Sequence, residues 1–119
     1  MAAVLRLNDH RRKLKAVFFS RPELNQLLSL YSRQVMRGEW RDYAIDQQEG
    51  AVLFSVFRHT HERPAFTIVK SAAGGNRQGD YTLLCGPQRI ATAGALGDVL
   101  VALKKRLPAA RPVDLENYR

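Results

Sequence analysis

Apolar residues recur at helical spacing in two stretches of the chain and alternate in the stretch between them. Leu24, Leu27, Leu28, Tyr31 and Val35 fall at i, i+3, i+4, i+7 and i+11, the stripe of an amphipathic helix. Its start is marked by Ser20-Arg21-Pro22-Glu23, an S-x-x-E capping box in which hydroxyl and carboxylate satisfy each other's backbone amides. Phe19 and Leu24 occupy the positions of a hydrophobic staple, Gly38 supplies a left-handed stop, and Trp40 can fold back on the last turn. Leu96, Val99, Leu100, Leu103 and Leu107 predict a second helix, with Asp98 near its start, Lys104, Lys105 and Arg106 at its end, and Pro108 stopping it. Before the first helix, Leu14 to Phe19 predicts a short strand.

Between the helices the period falls to two. Tyr43 and Ile45 share a face, Ala51 to Arg58 is apolar on both faces, and Phe66 to Lys70, Tyr81 to Cys85 and Arg89 to Thr92 complete a meander. A strand apolar on both faces is expected centrally, with something packed on each side. The order β-α-β-β-β-β-α predicts an α+β fold, an antiparallel sheet of four to five strands with two helices on one face. Residues 1–13 are expected to be a basic arm, 14–107 a single domain, and 108–119 a tail.

Charge sharpens this picture because it is unevenly spread. The chain of 119 residues carries a net +8. Residues 1–21 account for +5, residues 22–103 balance to zero, and residues 104–119 account for +3. A run such as His10-Arg11-Arg12-Lys13-Leu14-Lys15 suits a polyanion, because each cation set on a phosphate releases a condensed counterion; it also suits a plain solvated end. Candidate nucleic-acid contacts are therefore Arg11, Arg12, Lys13 and Lys15, with Lys104, Lys105 and Arg106 as a second set. The single cysteine, Cys85, cannot form an internal disulfide, and the first residues lack the order of a secretory signal, so a reducing, cytoplasmic setting is expected. The longest apolar run, Val99 to Leu103, is far short of the ~20 residues of a spanning helix, and no membrane partner is expected.

Other constellations carry weaker chemistry. His59-Thr60-His61 places two imidazoles on one side of an extended segment, but only Glu62 stands near as a further ligand, and a solvated turn explains the trio as well. Cys85 has no identifiable base, and the 74–79 glycine-rich loop matches no phosphate-binding motif. No cofactor, metal or catalytic residue is expected. Gly38-Glu39-Trp40-Arg41-Asp42-Tyr43 admits two readings: a recognition surface anchored by Trp40, Arg41 and Tyr43, or a buried tryptophan closing the helix end.

The strings Glu23 to Tyr31, Gly38 to Asp46 and Ser55 to Arg58 together resemble an uncharacterised alphaproteobacterial family of small proteins, a domain of unknown function. That resemblance implies a bacterial cytoplasmic protein and brings no activity, cofactor or site. A looser likeness, through Pro22 to Gln26 and Pro64 to Ile68, is to the double-stranded RNA-binding domain. That domain's phosphate-gripping lysines begin its last helix, where this chain has Thr92-Ala93-Gly94-Ala95-Leu96-Gly97, so its contact residues do not transfer. The leading expectation is a small non-enzymatic binding or regulatory module contacting nucleic acid. A protein-interaction adaptor is the alternative, and an enzyme beside the 71–79 loop a third. The strand Arg89 to Thr92 is expected at a sheet edge, where it can pair with a copy of itself.

Overall fold

A computed structural model of the chain describes residues 16–59, 63–72 and 80–108. Helix α1 spans Arg21–Met36 and is followed by strands β1 (Asp42–Gln48), β2 (Ala51–Phe57), β3 (Phe66–Ser71), β4 (Tyr81–Cys85) and β5 (Gln88–Ala93), then helix α2 (Leu96–Lys104). The strands form one antiparallel meander in the order β1-β2-β3-β4-β5, so the α+β class is as expected and β5 is an edge.

Helix α1 begins where the capping box places it. The Glu23 amide donates to Ser20 Oγ at 3.2 Å, and the Ser20 amide donates to Glu23 Oε1 at 2.7 Å. It ends in a Schellman turn: Gly38 has φ +78°, its amide donates to the Val35 carbonyl at 2.9 Å, and the Glu39 amide donates to the Gln34 carbonyl at 2.8 Å. A Cβ at Gly38 would meet no atom within 4 Å, so Gly38→Ala tests backbone strain alone. We expect a loss of ~1 kcal/mol in urea unfolding, with an unchanged midpoint contradicting the left-handed turn.

Helix α2 lacks such a start, since Ala95 offers no side-chain cap. A missing cap costs about 1 kcal/mol. Packing outweighs it, because Leu96, Val99, Leu100 and Leu103 are all buried, and each such burial contributes roughly 1.5–3 kcal/mol. These side chains share one core with Leu27 and Leu30 of α1 and with Val52, Phe54, Val56, Phe66, Ile68 and Leu83 of the sheet. The register sets Phe54 opposite Ile45 and Ile68, and Ile68 opposite Leu83. These sheet residues therefore lie on one face, and both helices cover it.

Two expectations need correction. The described part of the predicted Leu14–Phe19 strand, residues 16–19, forms no strand and joins no ladder. Its backbone is held by side chains instead: Gln47 Nε2 donates to the Val17 carbonyl at 2.9 Å, and Lys70 Nζ to the Phe18 carbonyl at 2.8 Å. Gln47 and Lys70 both stand opposite Val52 and share the helix-covered face. The segment thus lies over the helix-covered face, sending Val17 and Phe19 into the core and leaving Phe18 64% exposed. The second correction concerns β2, which is interior, between edge strand β1 and central β3, but not enclosed on both sides. Val52, Phe54 and Val56 are buried, whereas Leu53 and Phe57 are half-buried on the opposite face, beside the Ser55–Thr67 hydroxyl pair at 3.2 Å.

A polar cluster ties α1 to the sheet. Glu23 accepts from Lys70 Nζ at 2.8 Å and from the Tyr81 hydroxyl, while also serving the cap. Burial pushes the Glu23 carboxyl up, but the hydrogen bonds from Lys70, Tyr81 and Ser20, with the Lys70 charge, outweigh burial and hold it below its ordinary value. Burial, then the hydrogen bond to Glu23 and the charges of Glu23 and Asp80, push Tyr81 up to about 12.

Candidate functional site

Both helices carry basic residues toward their C-terminal ends, and the fold brings those ends together. The apolar stripe that seats α1 on the sheet leaves Arg33 and Arg37, four apart, on a flank facing α2. Helix α2 ends at Lys104, and Lys105 is its C-cap. A groove of about 500 Å³ runs between them, lined by Arg33, Gln34, Arg37, Lys104 and Lys105, with Leu30, Leu107 and Pro108 completing its walls. Among the described residues that line it, none is a carboxylate. Among the described residues none of its four cations forms an ion pair.

Helix ends alone do not account for this concentration. Each C-terminus presents roughly half a negative charge, so two of them offset about one of the four cations. The remainder, about three charges, repel one another across a shallow space, an arrangement that a polyanion relieves. Arg37 is part of the wall: one guanidinium nitrogen donates to the Pro108 carbonyl at 2.5 Å, which fixes the chain leaving α2 against α1. Arg37 Nε and Gln34 Oε1 are buried and have no hydrogen-bond partner.

Of the residues expected from sequence, Lys104 and Lys105 line the groove, and Arg106 is exposed just beyond it. Arg11, Arg12, Lys13 and Lys15 lie outside the described residues. The first described residue, Ala16, precedes the N-terminus of α1, whereas the groove lies toward its C-terminus. A helix of 16 residues separates those ends by roughly 24 Å. Arg33, Gln34 and Arg37 escape a reading by segment, because residues 22–103 sum to zero charge. The available signal was the i, i+4 spacing of two arginines on the flank of a strongly predicted helix.

The exposed-tryptophan reading is corrected. Trp40 is 2% exposed, its ring 6.3 Å from Tyr31 and 6.4 Å from Phe66, because the Schellman turn folds it onto the core. Arg41 and Tyr43 are exposed on and beside edge strand β1, where Tyr43 packs edge-on against Tyr31 at 4.8 Å. Asp42 accepts the Tyr43 amide at 2.8 Å.

His59 is exposed, while Thr60, His61, Glu62 and residues 73–79 lie outside the described residues. Among the described residues no three His, Cys, Asp or Glu side chains form a metal-binding group. Cys85 is a half-buried free thiol at the end of β4. No helix among the described residues is long and apolar enough to cross a membrane.

Residues 17–92 match the family model described as "Protein of unknown function (DUF2794)". No curated protein and no solved structure matches the chain. The matched region holds α1 and nearly all of the sheet, including Arg33, Gln34 and Arg37; Lys104 and Lys105 follow it.

Proposed function

The chain belongs to the DUF2794 family, whose description assigns no activity, and we propose from its own side chains that it is a small non-enzymatic module that binds nucleic acid. The observation that supports this reading is the groove between α1 and α2, where Arg33, Arg37, Lys104 and Lys105 converge with no carboxylate among the described lining residues. Cations in this arrangement serve a phosphate chain: each phosphate they neutralise releases counterions, and spacing along a groove follows a backbone rather than a single anion. In this proposal Arg11, Arg12, Lys13 and Lys15 add a second set of contacts.

Affinity should fall with salt. On duplex DNA the slope of log K against log salt is about −0.9 per phosphate contact, and on single strands about −0.7. Lys104→Ala with Lys105→Ala should therefore reduce the slope by roughly 1.4–1.8, and Arg11→Ala, Arg12→Ala and Lys13→Ala together by roughly 2–3. Fluorescence anisotropy of a labelled oligonucleotide across a salt series reads both. Binding that keeps its slope in the Lys104 and Lys105 double variant would remove the groove from the mechanism. Failure of the unaltered chain to bind would end the proposal.

A further inference from the structure

The two edges of the sheet are not alike. Strand β5 is blunted in ways that discourage a further strand: its ladder shifts register between Leu83 and Leu84, and it carries Arg89. Strand β1 pairs with β2 without a break from Asp42 to Gln48, all seven of its residues are exposed, and it contains no proline, lysine or arginine. The Ala72 amide donates to the Gly50 carbonyl at 2.9 Å, so the alternation of an antiparallel ladder turns Val52, Phe54 and Val56 toward β3 and the backbone groups of Tyr43, Ile45 and Gln47 away from β2. The Tyr43 amide accordingly donates to Asp42 Oδ1 at 2.8 Å. This edge is open to pairing.

Its two faces make different demands. Asp42 and Asp46 stand opposite Phe57 and Leu53 on the open face, and among the described residues neither forms an ion pair. Tyr43 and Ile45 stand opposite Val56 and Phe54 on the helix-covered face, yet remain 39% and 48% exposed. An edge with this pattern fits an extended segment whose cations face one way and whose apolar or ring-stacking side chains face the other. A second β1 does not fit, because two such strands side by side gather four carboxylates along one seam. The chain itself holds a segment that does, Arg11-Arg12-Lys13-Leu14-Lys15, outside the described residues.

We infer that β1 is the docking site of this segment, which lies along it as a further, parallel strand. The described chain begins at Ala16, and the Val17 carbonyl accepts from Gln47 Nε2 at 2.9 Å, so the segment is tethered within a side chain's length of β1. Gln47 is near the C-terminal end of β1, and residues further back from Ala16 therefore run toward Asp42. Arg11 and Lys15 are four residues apart, as are Asp42 and Asp46, so one register sets Arg11 beside Asp42 and Lys15 beside Asp46 on the open face. The same register sets Leu14 beside Ile45 and Arg12 beside the Tyr43 ring on the other face. Tethering makes the docking intramolecular, at an effective concentration in the millimolar range, so weak pairing is enough. A polyanion must then displace Arg11 and Lys15 from the two aspartates before it can use them. The docking itself stands apart from the nucleic-acid reading.

Amide hydrogen exchange of the full chain, followed by NMR at low salt with no nucleic acid present, tests this. The Ile45 and Gln47 amides exchange freely on a bare edge, and a segment docked about nine-tenths of the time slows them roughly tenfold. Arg11→Glu with Lys15→Glu should return both to the bare-edge rate while leaving Ala44 and Asp46, which bond to β2, unchanged. A general loss of stability would instead speed all four. Adding Asp42→Lys and Asp46→Lys to that variant exchanges the signs and should restore the slow rate. Free exchange of Ile45 and Gln47 in the unaltered chain overturns the docking, as does slow exchange that survives the first charge reversal. Protection that grows with protein concentration would mean that a second molecule supplies the occupant, and overturns it as well. The first measurement needs no substitution, so a variant that fails to fold does not blunt it.

Discussion

Trp40→Ala is expected to destabilise the protein by about 3–5 kcal/mol, a large share of the roughly 5–15 kcal/mol that holds a domain together. The indole is 2% exposed and packs with Tyr31 and Phe66. It also borders a void of about 10 Å³ lined by Leu27, Leu30, Phe54, Val56, Phe66, Ile68 and Leu103. That lining is wholly apolar, so water gains nothing by entering, and removing the ring enlarges an existing gap. The cost therefore belongs toward the upper end of the range. Urea unfolding should show a lower midpoint with an unchanged slope, and Trp40→Phe should lose much less. Because Trp40 is the only tryptophan, its native fluorescence should be blue-shifted and move red on unfolding. An unchanged midpoint with red-shifted native emission would return the ring to solvent and restore it as a docking anchor.

The contrast between Trp40 and its neighbours shows where sequence reasoning reaches its limit. Helix α1 was legible almost entirely because its signals are local: Ser20 with Glu23 at one end, Gly38 at the other, and a stripe between them. The meander was legible from alternation. Three other features depended on partners distant in the chain. Val17 and Phe19 alternate as strand residues do, but Gln47 and Lys70 hold their backbone above the sheet rather than at its edge. Leu53 and Phe57 are apolar without being enclosed, since alternation within one strand cannot say what covers its second face. Trp40 suits an interface or a core equally well until the turn before it sets its direction.

The groove divides the same way. Lys104 and Lys105 stood out in a terminal segment of net positive charge. Arg33 and Arg37 did not, because linear counting cancelled them against acids such as Asp42, Asp46 and Glu49, which lie on or beside β1 and do not line the groove.

Glu23→Ala is expected to cost about 2–3 kcal/mol, from a charge-assisted hydrogen bond lost in a half-buried setting together with part of a helix cap. One carboxylate serves three neighbours, and each secures a different element. Ser20 fixes the start of α1, Lys70 belongs to β3 and also holds the segment at Phe18, and Tyr81 belongs to β4. Removing it leaves Lys70 with the Phe18 carbonyl and the Tyr81 hydroxyl without its acceptor, so the loss exceeds that of an exposed ion pair. The effect carries a pH signature. The folded-state carboxyl is held below its ordinary 4.5, so its contribution is fully present above that value and disappears as pH falls through the lower, folded value. Tyr81 acts at the other extreme: raised to about 12, it contributes fully below the ordinary tyrosine value near 10, and its contribution is lost as pH climbs from there toward 12. Urea midpoints measured from acid to alkaline pH should therefore show a plateau in wild type with losses at both ends. Glu23→Gln should shrink the acid loss, and Tyr81→Phe should shrink the alkaline one. An acid limb as steep in Glu23→Gln as in wild type would mean that the helix start is not anchored to the sheet through this carboxylate.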